Sequence, residues 1–250
     1  MRLALVAALT QELRALIAAL DAPQLEHHAG REFVVGRLEG HEVVLALSRI
    51  GKVAAATTAT LLIERYGAEA LVFTGVAGGL GPVAVGDVVV ARELLQHDLD
   101  ASPLFPRHEV PLTGRARFPT DAELGDEIAR AARDALEAER IGLAASFAAL
   151  GIEAPKLHEG LVVSGDRFVA TATESAALHA ELPDALAVEM EGAAVAQVCH
   201  DCDVPFAVLR CISDRADDAA HRDFPRFLDE IAGPLAAAVL RTWLKRRAVG

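Results

Sequence analysis

The sequence predicts an α/β fold, a three-layer domain in which a mixed central sheet lies between helices. Short apolar segments alternate with longer segments in which apolar residues recur with helical spacing, as strands and amphipathic helices require. Apolar residues make up 52 % of the 250 residues, which is enough for a large core. Because the composition does not shift along the chain, we expect one domain over residues 1–250.

The first half of the chain begins with a buried strand and an amphipathic helix. Leucine and isoleucine follow Thr10 with helical spacing, and Thr10 is the expected N-cap. Gly40 predicts the turn of a hairpin. The elements predicted here are a strand at 2–8, a helix from Thr10, a hairpin of strands 33–38 and 42–47, a helix at 52–66, and strands at 70–73 and 86–90.

A glycine-rich segment, residues 74–81, lies between two of these strands. Its spacing is G-x-x-G-G-x-G followed by Pro82, whereas a dinucleotide fingerprint needs G-x-G-x-x-G at the start of a helix. Glycines let a ligand contact bare backbone, whose free N–H groups would then donate hydrogen bonds. A simple turn between strands is the alternative.

The second half begins with a proline-containing loop at 97–119, in which Leu104 and Phe105 form an apolar surface typical of an interface arm or a lid. A capping box at Thr120 predicts a long helix. The elements expected are a helix from Thr120 to about Arg140, an elaboration with a short helix at 141–157, strands at 161–163, 185–188 and 205–212, and helices at 173–180, 190–201 and 224–247, the last interrupted at Gly233 and Pro234. These elements include about eight strands.

The formal net charge of −12 excludes duplex nucleic acid and anionic membranes as main partners, because both bind cationic surfaces. A small neutral or cationic ligand suits this charge better. No segment reaches the ~18 apolar residues of a membrane-spanning helix. Residues 1–9 have the basic and apolar residues of a short signal peptide, but the polar residues after Leu9 favour a strand and a helix. We therefore expect a cytoplasmic protein.

The three cysteines, Cys199, Cys202 and Cys211, are too few and too close together for a disulfide framework. The C-x-x-C spacing of the first two is typical of a redox or zinc site, but no second ligand pair with metal spacing occurs in the sequence. Small residues at a helix end are the favoured interpretation, so we expect no metal site.

Four acidic residues lie where predicted strands end. Glu189 and Glu191 flank a methionine at a strand-to-helix junction, Asp214 ends the next strand, and Glu12 lies in the first turn after the first strand. Open α/β sheets bind ligands at the carboxyl ends of their strands. We expect Glu191 to face a ligand and Glu189 to be structural. Taken singly, each acid could also be a solvated or paired carboxylate.

Six segments together resemble, in order, the motifs of the 5′-methylthioadenosine/S-adenosylhomocysteine nucleosidases, which belong to the purine nucleoside phosphorylase and uridine phosphorylase superfamily. They are ALTQE (8–12), SRIGKV (48–53), TGVAGGL (74–80), SGDRF (164–168), VEME (188–191) and ISDRAD (212–217). The likeness covers nearly the whole chain and is weakest at 101–157. It implies a nucleoside phosphorylase-like fold and cleavage of an adenosine N-glycosidic bond without a metal or cofactor.

The resemblance also implies a role for each matching residue. Glu12 corresponds to the base that activates water, Glu191 to the residue that holds the ribose hydroxyls, and Asp214 to the acid that protonates adenine at N7. The binding residues implied are Met190 under the ribose, Phe168 and Val169 at adenine, Val76, Ala77 and Gly78 around the ribose and water, Ser213 and Arg210 beside the aspartate, and Leu9, Ile50 and Phe224 in the 5′ pocket.

The chemistry of cleaving an N-glycosidic bond requires the same residue types. Adenine is a poor leaving group as an anion, so an acid that protonates it lowers the barrier. The ribose becomes cation-like as the bond breaks, so a carboxylate at its hydroxyls stabilises the transition state more than the ground state. Acids at these strand ends can supply both effects.

The loop after His97 departs from the family pattern. In the family, aromatic residues of this loop extend across a dimer interface into the 5′ pocket of the neighbouring subunit. In this sequence, Ala101, Leu104, Phe105 and Pro106 fall near the positions of those aromatic residues. A homodimer remains the expectation. The departure leaves the preferred 5′-substituent open.

Three other functions remain open. A phosphorylase would bind phosphate, which Glu12 would repel and which only Arg14 and Arg49 among the nearby cations could attract. A related hydrolase that acts on futalosine would share the acid and base layout. A non-catalytic nucleoside-binding module is the third alternative, although binding alone does not need a general acid.

Overall fold

The computed structural model describes residues 1–215 and 224–249. Within these ranges the chain forms ten strands and eight α-helices, with a π-helical turn at Leu228–Ala232. The strands are β1 (Leu3–Ala7), β2 (Asp21–His28), β3 (Arg31–Leu38), β4 (His41–Leu47), β5 (Ala70–Gly79), β6 (Val88–Gln96), β7 (Arg117–Pro119), β8 (Leu157–Ser164), β9 (Ala185–Glu189) and β10 (Phe206–Asp214). The helices are α1 (Thr10–Ala18), α2 (Lys52–Glu64), α3 (Ala122–Gly142), α4 (Ala144–Ala149), α5 (Ala172–Glu181), α6 (Gly192–Asp201), α7 (Phe224–Phe227) and α8 (Gly233–Val249). Ala216 and Asp217, the end of the sixth motif, lie outside the described residues.

The ten described strands form one mixed sheet in the order β10-β6-β8-β9-β5-β1-β4-β3-β2, and β7 pairs with β6. Strand β1 is parallel to both β4 and β5. Strand β10 is parallel to β5 and antiparallel to β6, while β9 is parallel to β8 and antiparallel to β5. Strands β5, β10, β6, β8 and β9 therefore close a ring, and β1 to β4 extend the sheet from β5. The predicted mixed central sheet is confirmed.

Alternate side chains of the central strands pack against different helices, which gives three layers. On one face, Leu3 and Leu5 belong to a core with residues of α1, α3, α4 and α8. On the other face, Ala4 and Val6 pack with residues of α2 and α6. The predicted three-layer architecture is confirmed. None of the described helices is long and apolar enough to cross a bilayer.

The strand count differs from the prediction because two edge elements carry no apolar alternation. Strand β2, largely exposed and containing Pro23, pairs only with β3 at the end of the sheet. Strand β7 has three residues and lies at the end of the predicted loop at 97–119. Strand β5 is longer than predicted and runs through the glycines to Gly79. The alternative of a simple glycine turn is therefore wrong.

Two predicted helix starts are wrong by one residue. The N-cap of α1 is Leu9, and the carboxylate of Glu12 accepts its N–H, so Thr10 is the first helical residue. In α3 the cap is Asp121, whose carboxylate accepts the N–H of Leu124 at 2.8 Å. The last helix is interrupted before Gly233, as expected, and the interruption is the π-helical turn. A short helix, α4, occurs in the elaboration at 141–157.

The sheet brings four strand ends to one place. The parallel register sets Val6 beside Phe73 and Ile212 beside Ala77, so β1, β5 and β10 end at the same edge. Strand β9 arrives from the opposite direction and pairs Val188 with Gly78. The residues that follow β9 are therefore directed towards the middle of the glycine segment, where the other strand ends meet.

Candidate active site

A cavity of about 860 Å³, including its open mouth, lies where these strand ends meet. This volume suits a small organic ligand. All fourteen residues predicted for the site of a single chain line the cavity, namely Leu9, Glu12, Ile50, Val76, Ala77, Gly78, Phe168, Val169, Met190, Glu191, Arg210, Ser213, Asp214 and Phe224. Seven separate segments of the chain supply them, so the fold brings the six motifs and Phe224 together.

Glu12 is almost fully buried at 1 % exposure, and its carboxylate is held by backbone donors. One oxygen accepts the N–H of Leu9 at 2.8 Å, and the other accepts the N–H of Val76 at 3.0 Å. Burial raises the pKa of Glu12 against the opposing effect of these hydrogen bonds and of Arg210. A buried carboxylate with a raised pKa is suited to accept a proton near neutral pH.

Gly75 makes room for this carboxylate. A Cβ at this position would lie 2.9 Å from Oε1 of Glu12 and 3.5 Å from a guanidinium nitrogen of Arg210. The first distance is shorter than real Cβ contacts, so any side chain would displace Glu12. The glycine segment therefore serves the site by close approach, as well as through the N–H of Val76.

Glu191 lies between β9 and α6 and is 6 % exposed. Its Oε1 accepts the N–H of Gly51 at 2.9 Å, which fixes the carboxylate at the start of α2. Burial and the neighbouring charge of Glu189 raise the pKa of Glu191 from 4.5 to about 7. The protonation state of this carboxyl group therefore changes near neutral pH.

Asp214 ends β10 and is 7 % exposed. The hydroxyl of Ser213 donates to its Oδ2 at 2.7 Å. The same hydroxyl lies 3.4 Å from the carbonyl oxygen of Ala77, so it bridges β10 and β5. This arrangement orients the Asp214 carboxyl group at the edge of the cavity.

Glu189 and Arg210 form an ion pair beneath the cavity, with a distance of 2.8 Å and side-chain exposures of 3 % and 1 %. The other hydrogen bonds that Arg210 donates within the described residues go to the carbonyl oxygens of Phe73 and Leu209, and its guanidinium stacks on the Phe73 ring. We expected Arg210 to lie beside Asp214. Within the described residues, its side chain instead bonds to Glu189 and to two carbonyl oxygens.

Glu189 also accepts hydrogen bonds from the backbone at the start of α6. Its carboxylate accepts the N–H of Gly192 at 2.8 Å and the N–H of Glu191 at 3.2 Å. The hydroxyl of Ser164 donates to it and accepts the N–H of Ala193. An acid at a helix N-terminus satisfies unpaired N–H groups and interacts favourably with the helix dipole. Glu189 is structural in this sense, as the sequence predicted.

Seven further residues line the cavity beyond the predicted set, namely Ala8, Phe73, Thr74, Gly75, Arg167, Val188 and Glu189. Arg167 is exposed and pairs with Glu174 on α5. Its position beside Phe168 in the SGDRF motif is the signal that could have identified it. Phe73 had no such signal, because an aromatic residue in a buried strand is typical of a core.

The segment proposed to reach a second subunit lies outside this cavity. Ala101, Leu104, Phe105 and Pro106 are absent from the cavity lining of their own chain, and Leu104 is 84 % exposed. Ile50 and Phe168, at 59 % and 50 % exposure, form apolar surface at the mouth. The cavity therefore has an apolar rim that the described residues of its own chain leave open.

No group of three or more metal-ligating side chains that could hold an ion occurs in the described part of the chain. Cys199, Cys202 and Cys211 are free thiols, and burial raises the pKa of each. Cys199 packs inside the core at α6, which fits the interpretation of small residues at a helix end.

The fold and the cavity define an α/β protein with a small-molecule site that carries candidate acid and base groups, the layout of an enzyme. The family described as "Phosphorylase superfamily" matches residues 2–245. The 5′-methylthioadenosine/S-adenosylhomocysteine nucleosidase of Bacillus cytotoxicus is 38 % identical over 234 residues, covering 93 % of this chain and 94 % of the relative.

Solved structures agree with this match. The 5′-methylthioadenosine/S-adenosylhomocysteine nucleosidase of Neisseria meningitidis, in complex with methylthio-immucillin-A, superposes with a TM-score of 0.85 at 34 % identity, covering 98 % of this chain and 99 % of that one. Futalosine hydrolase of Helicobacter pylori gives a TM-score of 0.83 at 31 % identity, covering 98 % of both chains. The chain belongs to the phosphorylase superfamily and, within it, to the 5′-methylthioadenosine/S-adenosylhomocysteine nucleosidases, as the six motifs suggested.

We predict that Glu191 makes the stability of the protein fall as pH rises. Its pKa in the folded chain is about 7 and its ordinary value is 4.5, so the folded state binds this proton more tightly than the unfolded state. The stabilisation is therefore complete below pH 4.5 and is lost as pH rises through 7. A shift of this size corresponds to about 3 kcal/mol.

Urea unfolding of wild type and Glu191→Gln at about pH 5 and about pH 8 measures this effect. The free energy of unfolding should fall by about 3 kcal/mol more in the wild type than in the variant. Glu32→Gln removes an exposed carboxylate of β3 and is the control, which should follow the wild type. Equal pH dependence in wild type and Glu191→Gln would contradict the assignment.

Proposed function

We propose that the protein hydrolyses the N-glycosidic bond of 5′-methylthioadenosine and S-adenosylhomocysteine, releasing adenine and the 5-thio-substituted ribose. The observation that carries this proposal is the presence of three buried carboxylates, Glu12, Glu191 and Asp214, around one cavity. Each is held by a different partner, so each can act on a different part of a nucleoside. The relative from Bacillus cytotoxicus, named for these two substrates, supports the substrate class.

Asp214 is the proposed acid. As the bond between C1′ and N9 breaks, its electron pair moves to the adenine ring, and Asp214 donates a proton to N7. Adenine then leaves as a neutral base. The hydroxyl of Ser213 bonds to one oxygen of Asp214 at 2.7 Å and fixes the orientation of the carboxyl group.

Glu12 is the proposed base. A water molecule attacks C1′, its oxygen forms the new bond to the sugar, and Glu12 takes its proton. The backbone N–H groups of Leu9 and Val76 hold the Glu12 carboxylate in place before the reaction. This preorganisation avoids a reorientation cost in the transition state.

Glu191 is the proposed ribose residue. Its carboxylate accepts hydrogen bonds from the sugar hydroxyls, and its negative charge stabilises the cation-like ribose. Met190 covers the sugar face, and the backbone of residues 76–78 surrounds the ribose and the attacking water. The N–H of Gly51 keeps Glu191 in position.

The remaining lining residues are proposed to bind the base and the 5′-substituent. Phe168 stacks on adenine and Val169 reads the base edge through its backbone. Leu9, Ile50 and Phe224 form an apolar wall for the thio group, which suits burial of a methylthio substituent.

The cations of this region support a hydrolase over a phosphorylase. Arg14 pairs with Asp229 at 3.1 Å, and Arg49 donates to the carbonyl oxygen of Gly30. The two arginines that line the cavity, Arg167 and Arg210, are each paired with a glutamate. Four carboxylates line the same cavity. A phosphate dianion would meet net negative charge there, whereas water would not.

Futalosine hydrolysis is the second candidate, favoured by the likeness to the Helicobacter pylori enzyme at 31 % identity. That activity would use the same three carboxylates and differ in the 5′ pocket. The open apolar rim at Ile50 would have to accept the larger substituent.

We also propose that the enzyme is a homodimer that serves methionine salvage in the cytoplasm. The exposed side chains of Leu104 and Leu112, at 84 % and 91 %, support a partner surface on the loop after β6. Ala101, Phe105 and Pro106 lie in the same loop and would complete the rim of the partner's 5′ pocket.

We predict that Asp214→Asn and Glu12→Gln each lower kcat/KM at least ~100-fold, because each removes a proton transfer from the transition state. Adenine release is the measurement, and circular dichroism checks the fold. Asp201→Asn and Glu32→Gln change the same residue types at exposed positions and should keep the wild-type rate. Near-normal turnover by either folded site variant would rule out this mechanism.

A second prediction concerns the nucleophile. Base release should proceed at the same rate with and without phosphate, because water is the acceptor. The assay uses 5′-methylthioadenosine, S-adenosylhomocysteine, inosine and futalosine, and identifies the sugar product. A sugar 1-phosphate would indicate a phosphorylase, and fastest release from futalosine would indicate the second candidate. Binding without any release would indicate a non-catalytic module.

A third prediction concerns assembly. Sedimentation equilibrium should give about twice the 26.4 kDa of one chain. Leu104→Asp should favour the monomer and raise KM, because it places a charge in an apolar interface. Leu25→Asp, at a residue of β2 that is 56 % exposed, is the control and should remain dimeric. A fully active monomeric wild type would contradict the dimer.

A further inference from the structure

Helix α2 begins at the cavity without a cap of its own. Its N-cap residue is Gly51, with φ of 96°, which has no side chain to bond the first N–H groups. Two acids from other segments bond them instead. Glu191 accepts the N–H of Gly51 at 2.9 Å, and Asp166 accepts the N–H of Lys52 at 2.7 Å. The start of α2 therefore joins the candidate ribose residue to the loop that carries Phe168.

The side chain of Lys52 returns to the same loop through a third segment. Its ammonium group donates to Oδ1 of Asp98 at 2.6 Å and to the Gln96 side chain at 3.1 Å. The other oxygen of Asp98 accepts the N–H of Asp166 at 2.8 Å. Lys52, Asp98 and Asp166 thus form a closed ring of hydrogen bonds.

This ring is more than a surface ion pair. The Lys52 side chain is 15 % exposed and that of Asp98 is 30 % exposed. Burial acts to raise the pKa of Asp98, but the bonds from Lys52 and the N–H of Asp166 outweigh it and hold that pKa below its usual value. A partly buried pair with charge-assisted hydrogen bonds resists screening better than an exposed pair.

We propose that Lys52, with Asp98 and Asp166, positions the base-stacking loop at 166–169 against the ribose residue Glu191. The ring connects three segments: the start of α2, the loop after β8, and the start of the loop after β6. Lys52 lies outside the cavity lining and acts through Gly51 and Asp166. The catalytic consequence rests on the proposed function, whereas the placement of the loop does not.

The first arm of the test needs no substrate. Lys52→Met keeps the unbranched stem and removes the ammonium, and Asp98→Asn breaks the ring from the other side. Hydrogen exchange of the whole protein should become about tenfold faster or more at 50–53 and at 165–169 in both variants, because a charge-assisted bond is lost. Lys52→Arg keeps a cation with several donors and should restore much of the protection.

Arg241→Met is the matched control. Arg241 pairs with Glu39 at 2.6 Å, the same distance as in the Lys52 pair, but Glu39 lies just before β4 at the opposite edge of the sheet. This variant should leave exchange at 165–169 and the kinetics unchanged. It also calibrates the change in global stability that results from losing one ion pair.

The second arm measures steady-state kinetics with 5′-methylthioadenosine. Lys52→Met should raise KM about tenfold while kcat changes less than about threefold, because a displaced stacking loop weakens ground-state and transition-state binding alike. The pH profile of kcat should keep its shape, since Glu12 and Asp214 remain.

The outcomes separate the two proposals. Unchanged exchange at 165–169 in Lys52→Met and Asp98→Asn would overturn the positioning role, as would the same acceleration in Arg241→Met. Faster exchange with an unchanged KM would show a purely structural ring and would also overturn it. If the wild type releases no adenine, the proposed function fails, and the exchange arm still decides whether the ring holds the loop.

Discussion

The buried ion pair between Glu189 and Arg210 places a compensating cation beneath the carboxylates of the cavity. Its two charges lie 2.8 Å apart and are almost completely removed from solvent. Burial is the largest cause of the raised pKa of both Glu191 and Glu12. The Glu189 charge adds to the rise at Glu191, while the Arg210 charge opposes the rise at both residues. Without Arg210, three glutamates would share one apolar space with no cation beneath them, and protonation would relieve the repulsion. The pair therefore allows a base and a sugar-binding carboxylate to coexist.

Backbone N–H groups also stabilise the carboxylates of the site. Glu12 is held by Leu9 and Val76, Glu191 by Gly51, and Glu189 by Gly192. Three of these donors, Leu9, Gly51 and Gly192, belong to helix starts, where unpaired N–H groups favour negative charge. Donors fixed by the fold do not have to reorient during a reaction, so the same bonds that stabilise the charges also preorganise the site.

The sequence predicted the site better than it predicted the edges of the sheet. Central strands are apolar on both faces and therefore easy to identify, and Glu12 and Asp214 had to meet once β1 and β10 were both parallel to β5. Glu191 follows β9, which is antiparallel to β5 and ends at the middle of the glycine segment. Strand β2 is polar, contains Pro23 and pairs on one side only, so its pattern is that of a loop. Strand β7 is too short for any periodicity.

Side-chain pairing was the part that sequence could not supply. Arg210 stands in an apolar strand, and nothing in its neighbours indicates that its partner is Glu189, twenty-one positions away. The predicted N-cap of α1 was wrong for a related reason. The N–H of Leu9 donates to the Glu12 carboxylate, so the helix start does not need the side chain of Thr10. Such bonds depend on where segments meet in space.

The placement of the acids explains why water is a better fit than phosphate. Among the described residues, the cations at the cavity are already bound to carboxylates, and the two nearby arginines are engaged with Asp229 and the Gly30 carbonyl. Binding a phosphate would require one of these contacts to break and a dianion to approach Glu12. A neutral water molecule needs only an acceptor, and Glu12 is a buried carboxylate with a raised pKa. The fold family accommodates both chemistries, so it is the pairing of charges in this chain that favours hydrolysis.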